Sequence, residues 1–339
     1  MTASSPSSRI YWLDLLKWLA TLAVIVIHVS VPGIYQAPAG ASSAISLTAS
    51  CLAGWAIPVF VMVSGALFLN PAKEITLRSL YTRYVPRILL AYLFWWVVYA
   101  VVRLSVHPVD SGESIWTTKY LYPHFHLWFL PMLAAVYALI PLLRKIASDE
   151  GSMRYFLFIW SIYVGIGFFG ISALQQLSSL FLLNKVIGYS GYFVLGYWLS
   201  RHPFTLRQRR LIYLAGIIGL AITLTGSLML CAKGAEHRTF FMKDLSLQLI
   251  ATSMAVFLLV KEIGASRQAG PRSLFARCRK DLFGIYLTHA LWLFFLTDTV
   301  RDTVHPLLLI PLGAISIFIL SFLTTRLLRM IPLIRRFVE

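Results

Sequence analysis

The chain has 339 residues, 58% of them hydrophobic and 13% charged, with a formal net charge of +17. Soluble domains carry about 25% charged residues, so this composition excludes an ordinary soluble globule and a disordered chain. An all-α, polytopic membrane helix bundle remains.

A spanning helix needs roughly 20 mostly apolar residues. Ten such stretches follow one another, at 11–32, 46–69, 84–106, 126–143, 155–174, 185–200, 211–231, 245–260, 281–298 and 304–328. Their connections are short and leave no sizeable soluble domain. The expected organisation is a short cytoplasmic tail over 1–10, one transmembrane domain over 11–330, and a basic cytoplasmic tail over 331–339. The first stretch is too long for a cleavable signal and carries Asp14 and Lys17 inside it.

Ionisable residues inside a span cost at least about 2.5 kcal/mol at the centre, so they face the bundle interior and tend to be functional. Helix one holds Asp14, Lys17 and His28. Lys17 and His28 are eleven residues apart, almost three whole turns. They share a face and lie about 16 Å apart along the axis. Asp14 is one turn before Lys17 and can pair with it. Asp14 and Lys17 read equally as a snorkelling interfacial pair. His28 is the residue type poised to move protons near neutral pH.

Helix two contains Ser64-Gly65, small enough for close helix approach. Helix three opens with Arg83 and Arg87, four apart on one face. Paired guanidiniums suit a phosphate-bearing ligand, and equally suit simple anchoring at the membrane surface. Helix four opens with His124-Phe-His126-Leu-Trp128. A metal is the minority reading, because no third ligand follows at a suitable spacing. The alternatives are an interfacial aromatic belt or a substrate-facing rim. Helix nine carries Tyr286 and His289 one turn apart.

Of the 30 Lys and Arg, 22 fall in one alternating set of loops and termini, from Arg9 through Lys73, Arg78 and Arg144 to Arg335 and Arg336. The opposite loops hold Arg103, Lys119, Lys185, Lys233, Arg238, Lys243 and Arg301. This asymmetry places both termini in the cytoplasm. The basic loops then meet anionic lipid rather than nucleic acid. Cys51, Cys231 and Cys278 show no paired spacing, so neither a disulfide framework nor a metal motif is expected.

At these residues the sequence resembles acyltransferase family 3, the multi-pass membrane O-acyltransferases of bacteria. It is most similar to the short stand-alone members that acetylate surface glycans. The resemblance covers nearly the whole chain. It runs through Asp14-Leu-Leu-Lys17 with His28, Pro58-Val-Phe-Val-Met-Val-Ser64-Gly65, and the basic start of helix three. His126-Leu-Trp128-Phe129-Leu, Gly191-Tyr-Phe-Val-Leu-Gly196-Tyr and Gly284-Ile-Tyr286-Leu-Thr-His289 follow in family order. Lys17 stands where arginine is commoner in the family. Arg83 and Arg87 are separated by three residues instead of the usual two, with Pro86 between them. No esterase-like domain follows the tenth stretch.

The resemblance implies an inner-membrane enzyme. Acetyl-CoA or another acyl-CoA would be its co-substrate, with no permanently bound cofactor or metal. A glycan or glycolipid would be its acceptor. It implies His28 as general base, with Lys17 and Asp14 in the catalytic group. Arg83, Arg87 and Lys17 would meet the donor's phosphates. His126, Trp128, Tyr286 and His289 would line the acceptor path. The acyl group, the acceptor sugar and the oligomeric state stay open. A transporter or flippase of a glycan or lipid intermediate would explain a polar interior equally well. A non-catalytic scaffold would leave the Lys17–His28 alignment without a purpose.

Overall fold

A computed structural model describes residues 11–106, 123–168, 181–265, 278–300 and 303–339. Every regular element among the described residues is helical. The long helices are α1 (Tyr11–Tyr35), α2 (Ala41–Phe68, interrupted at Gly54 and Trp55) and α3 (Leu77–Val106). Next come α4 (Phe129–Ala138), α5 (Ile140–Ser148), α6 (Glu150–Phe168) and α7 (Phe181–Arg201). The chain closes with α8 (Leu206–Met229), α9 (Leu247–Ala265), α10 (Leu282–Val300), α11 (Pro306–Met330) and the short α12 (Pro332–Arg335).

Among the described residues, six helices are long and apolar enough to cross a membrane, and α4 with α5 makes a seventh if the pair counts as one span. The chain is therefore a multi-pass membrane protein. The apolar stretch expected as continuous over 126–143 is instead two helices that meet at 57°. Pro141, in the first turn of α5, lacks the N–H a continuing helix would need, and its ring crowds the preceding turn. The positions 1–10 and 169–174 of the expected tail and fifth span lie outside the described residues.

Local chemistry sets the helix ends. Thr76 and Ser79 cap α3 reciprocally, each side chain bonding the other's backbone N–H at 3.1 Å. Thr205 and Gln208 do the same for α8. Within α3, residues Leu80–Tyr84 form a wide π turn in which the Val85 N–H reaches back five residues to the Leu80 carbonyl. Pro86 follows directly. Its missing N–H cannot serve the Thr82 carbonyl, and the wider turn relieves the clash.

In lipid the hydrophobic effect does not drive helices together, so close packing and interhelical polar contacts must. α2 and α7 meet backbone to backbone. A Cβ on Gly65 would lie 1.7 Å from the Phe193 carbonyl oxygen, and one on Gly196 would lie 2.0 Å from that of Met62. This is the close approach expected of Ser64-Gly65. α8 and α9 touch similarly at Gly216 and Gly219. The lipid side of α8 shows Leu211, Leu214, Ile217, Ile218 and Ile222. Two interior hydroxyls of α1 are satisfied locally: Thr21 donates to the Lys17 carbonyl and Ser30 to that of Val26, both at 2.8 Å.

The tail after α11 folds back onto the bundle. Phe337 stacks on Phe94 at 4.4 Å, its carbonyl accepts from Trp95 Nε1 at 3.2 Å, and Val338 is buried. Arg329 joins the buried Asp281 carboxylate to Glu339, and Arg326 adds a second contact to Asp281 at 2.9 Å.

Candidate functional site

Two polar clusters occupy opposite ends of α1. The first surrounds Lys17. Asp14 Oδ1 lies 3.7 Å from Lys17 Nζ, one turn apart on the same helix. The loop between α2 and α3 brings Lys73 to the same region. Its ammonium sits 3.5 Å over the Phe68 ring and 5.2 Å over that of Tyr84. Arg83 lies 5.8 Å from the same Tyr84 ring. Arg144 of α5 fixes the loop by donating to the carbonyls of Phe68 at 2.9 Å, Asn70 at 3.1 Å, and Lys73.

Burial holds Lys73 down at about 8, and the neighbouring cations Lys17, Arg144 and Arg83 push it the same way. At least four cations among the described residues, Lys17, Lys73, Arg83 and Arg144, therefore crowd one place, with Asp14 paired to Lys17. Such a place suits a polyanion. Arg83 and Arg87 are exposed at the start of α3. In the sequence Lys73 and Arg144 read only as topology-setting charges. Their signal is faint, because only the folded loop brings them to Lys17.

The second cluster surrounds His28. Its ring stacks nearly parallel on that of His289 of α10, with centroids 5.2 Å apart and planes 23° from parallel. The His126 ring lies 5.1 Å from His289, and Phe125 covers His28 edge-on at 4.7 Å. Hydrogen bonds lock the surround. Tyr286 donates from its hydroxyl to the His126 carbonyl at 2.5 Å, and Tyr99 of α3 donates to that of Leu287 at 2.6 Å. Nδ1 of His124 lies 3.0 Å from Nδ1 of His126, and the His124 ring stacks on Tyr99 at 4.4 Å.

His126 and His289 are fully buried, at 1% and 0% exposure, and the Nε2 of each has no hydrogen-bond partner among the described residues. A buried polar atom left unmade costs about 1–3 kcal/mol. Among the described residues no group of three His, Cys, Asp or Glu is arranged to hold a metal. Cys51, Cys231 and Cys278 are free thiols.

Of the residues singled out from sequence, the fold brings His28, His126, Tyr286 and His289 together. Asp14 and Lys17 stand at the other end of the same helix. Trp128 goes elsewhere. Its ring faces Tyr189 at 6.0 Å and Lys185 at 4.8 Å, and Lys185 bonds Asp244 Oδ2 at 2.7 Å. The neighbouring Phe129 is the residue that meets Tyr286, at 5.5 Å. His124, the partner of His126 in the His-x-His pair, joins the cluster too, and Tyr99 joins it unforeseen. Tyr99 sits mid-helix among aromatics, where nothing in the sequence marks it.

A buried histidine group inside a multi-pass helical bundle, with a cation cluster at the far end of the same helix, defines a membrane protein fitted for chemistry or passage inside the bilayer. The chain belongs to acyltransferase family 3, whose acyltransferase domain model matches residues 10–326. No curated protein and no solved structure matches it. Family membership makes it an acyltransferase-family membrane protein, with an acyl-CoA-type donor as the general expectation.

Proposed function

We propose that the protein is an O-acyltransferase, most simply an O-acetyltransferase, of the bacterial inner membrane. It spans the bilayer ten times with both termini in the cytoplasm. Acetyl-CoA binds from the cytoplasm, and the acceptor is a hydroxyl of a cell-surface or lipid-linked glycan at the outer side. The observation that carries this reading is the placement of two unlike polar clusters at the two ends of α1, cationic around Lys17 and imidazole-rich around His28.

At the cytoplasmic end Arg83, Arg87 and Lys17 meet the donor's phosphates, and Lys73 adds a further cation. Asp14 holds Lys17 in place. The thioester reaches up the bundle. His28 takes the proton from the acceptor hydroxyl as its oxygen attacks the acyl carbon. The carbon–sulfur bond breaks, and the thiolate of CoA receives the proton to leave as the thiol. Passing only the small acyl group spares the membrane the movement of either large partner.

The test uses membranes holding the protein, supplied with acetyl-CoA labelled in the acetyl group. Label should enter alkali-labile ester in the glycolipid fraction and vanish with His28→Ala at equal protein level. The 57° break between α4 and α5 favours a second reading, transport, because interrupted helices mark many transporter sites. Consumption of acetyl-CoA by the purified protein excludes pure transport.

A further inference from the structure

His289 is buried completely, and its Nδ1 lies 2.5 Å from the backbone carbonyl of Tyr286. A carbonyl only accepts, so Nδ1 carries the proton and donates it. The tautomer is thereby fixed, and Nε2 is left with a lone pair. That nitrogen has no hydrogen-bond partner among the described residues. Buried polar atoms are almost always bonded, so each exception asks for a reason. His126 Nε2, one ring away, is in the same condition. The missing partner of His289 must be a donor, which excludes a carboxylate. The absence of a three-ligand group among the described residues argues against a metal ion.

His28, nearly parallel to His289, is the base in the proposed reaction, and the present inference rests on that reading. The reacting hydroxyl has one hydrogen, and His28 takes it. His289 therefore needs a second donor from the same acceptor, close to the first. Adjacent hydroxyls on a sugar ring supply that pair, one facing each of two stacked imidazoles. We infer that His289 Nε2 accepts a hydrogen bond from the hydroxyl next to the one acylated, so that the site selects a vicinal diol. The reacting oxygen bonds to the acyl carbon, its proton passes through His28 to the departing thiolate, and the neighbouring hydroxyl keeps its own proton on His289. The products are a mono-ester of the diol and free CoA thiol.

The experiment uses the full chain in lipid vesicles with labelled acetyl-CoA and three soluble acceptors. These are trans-1,2-cyclohexanediol, 2-methoxycyclohexanol and cyclohexanol. The wild type should esterify the diol about tenfold or more faster than either mono-alcohol, as expected when a buried acceptor is left unmade. His289→Phe should bring the ratio to about one. His289→Gln, which can place an amide oxygen near the Nε2 position, should restore part of the preference and so guards against simple misfolding.

Equal rates for the three alcohols in the wild type would overturn the inference, and so would a diol preference that survives His289→Phe. In the latter case water alone occupies Nε2. If none of the three is esterified while native glycolipid still takes label, the inference fails and the acyltransfer reading stands. If glycolipid takes no label either, the acyltransfer reading itself has failed.

Discussion

His28 and His289 come from opposite ends of the chain and stack at 5.2 Å, so the first long helix and the tenth close on each other through two imidazoles. Hydrogen bonds from Tyr286 and Tyr99 to backbone carbonyls hold the frame around that contact. In the proposed reaction His28 is the base, and a base needs rigid neighbours, which the surrounding aromatic rings would supply.

Removal of His28 should cost acyl transfer about 10²–10⁴-fold, the usual weight of a general base. His28→Ala and His28→Gln should fall alike, because glutamine keeps a polar group and loses the basic nitrogen. Initial rates at equal membrane content check this. A His28→Gln enzyme within a few-fold of wild type would show that the imidazole does not take the proton.

If Lys73 meets the donor as proposed, it trades stability against binding. Its ordinary value is 10.5 and the folded chain holds it at about 8. Between those pH values the unfolded chain keeps a proton that the folded chain has released, so stability rises with pH across that window. At neutral pH the charge is a burden. Lys73→Met should therefore raise the thermal midpoint at pH 7 and flatten its rise toward pH 10, while KM for the acyl-CoA donor increases several-fold. Thermal unfolding in detergent against pH, together with donor titrations, measures both. A lower midpoint at pH 7 would count against this account.

Gly65 is where two backbones touch. Gly65→Ala should destabilise by at least about 1–3 kcal/mol, the usual cost of overpacking, because its Cβ would meet a carbonyl oxygen rather than a side chain that can move. Gly40→Ala is the control, since a Cβ there meets nothing within 4 Å. The two thermal midpoints should separate clearly, with Gly40→Ala near the wild type.

Asp281 is fully buried against Arg326 and Arg329. Asp281→Ala takes the buried carboxylate from a half-exposed Arg326 and from an Arg329 that keeps Glu339, and should cost about 1–3 kcal/mol. Since Arg329 also holds Glu339, the tail from Ile331 should loosen with it. Protease sensitivity after Arg335 and Arg336 is the readout, and a tail as protected as in the wild type would contradict the link.

Much of this was legible in the sequence. Hydropathy marks the order of the helices, because lipid demands long apolar runs. Helical periodicity puts Asp14, Lys17 and His28 on one stripe, and the structure keeps the ion pair it suggests. The break at Pro141 was not legible, since the apolar run continues through it. The spacing of Arg83 and Arg87 reads as a pair on one helix face, but it does not disclose the π turn over Leu80–Tyr84, which changes the helical register at that end of α3. The family resemblance puts Trp128 beside His126 on the acceptor path, but two residues are about half a helical turn, and the two rings meet different neighbours. Lys73, Arg144 and Tyr99 acquire meaning only when distant segments meet.

The claim that donor and acceptor are served from opposite ends of α1 has a direct test. Labelled acetyl-CoA, which does not cross a bilayer, is added outside sealed membrane vesicles of each orientation. Inverted vesicles should form acetyl ester on glycolipid, and right-side-out vesicles should form none until permeabilised. Equal labelling of both sealed preparations, or labelling of right-side-out vesicles alone, would contradict the account.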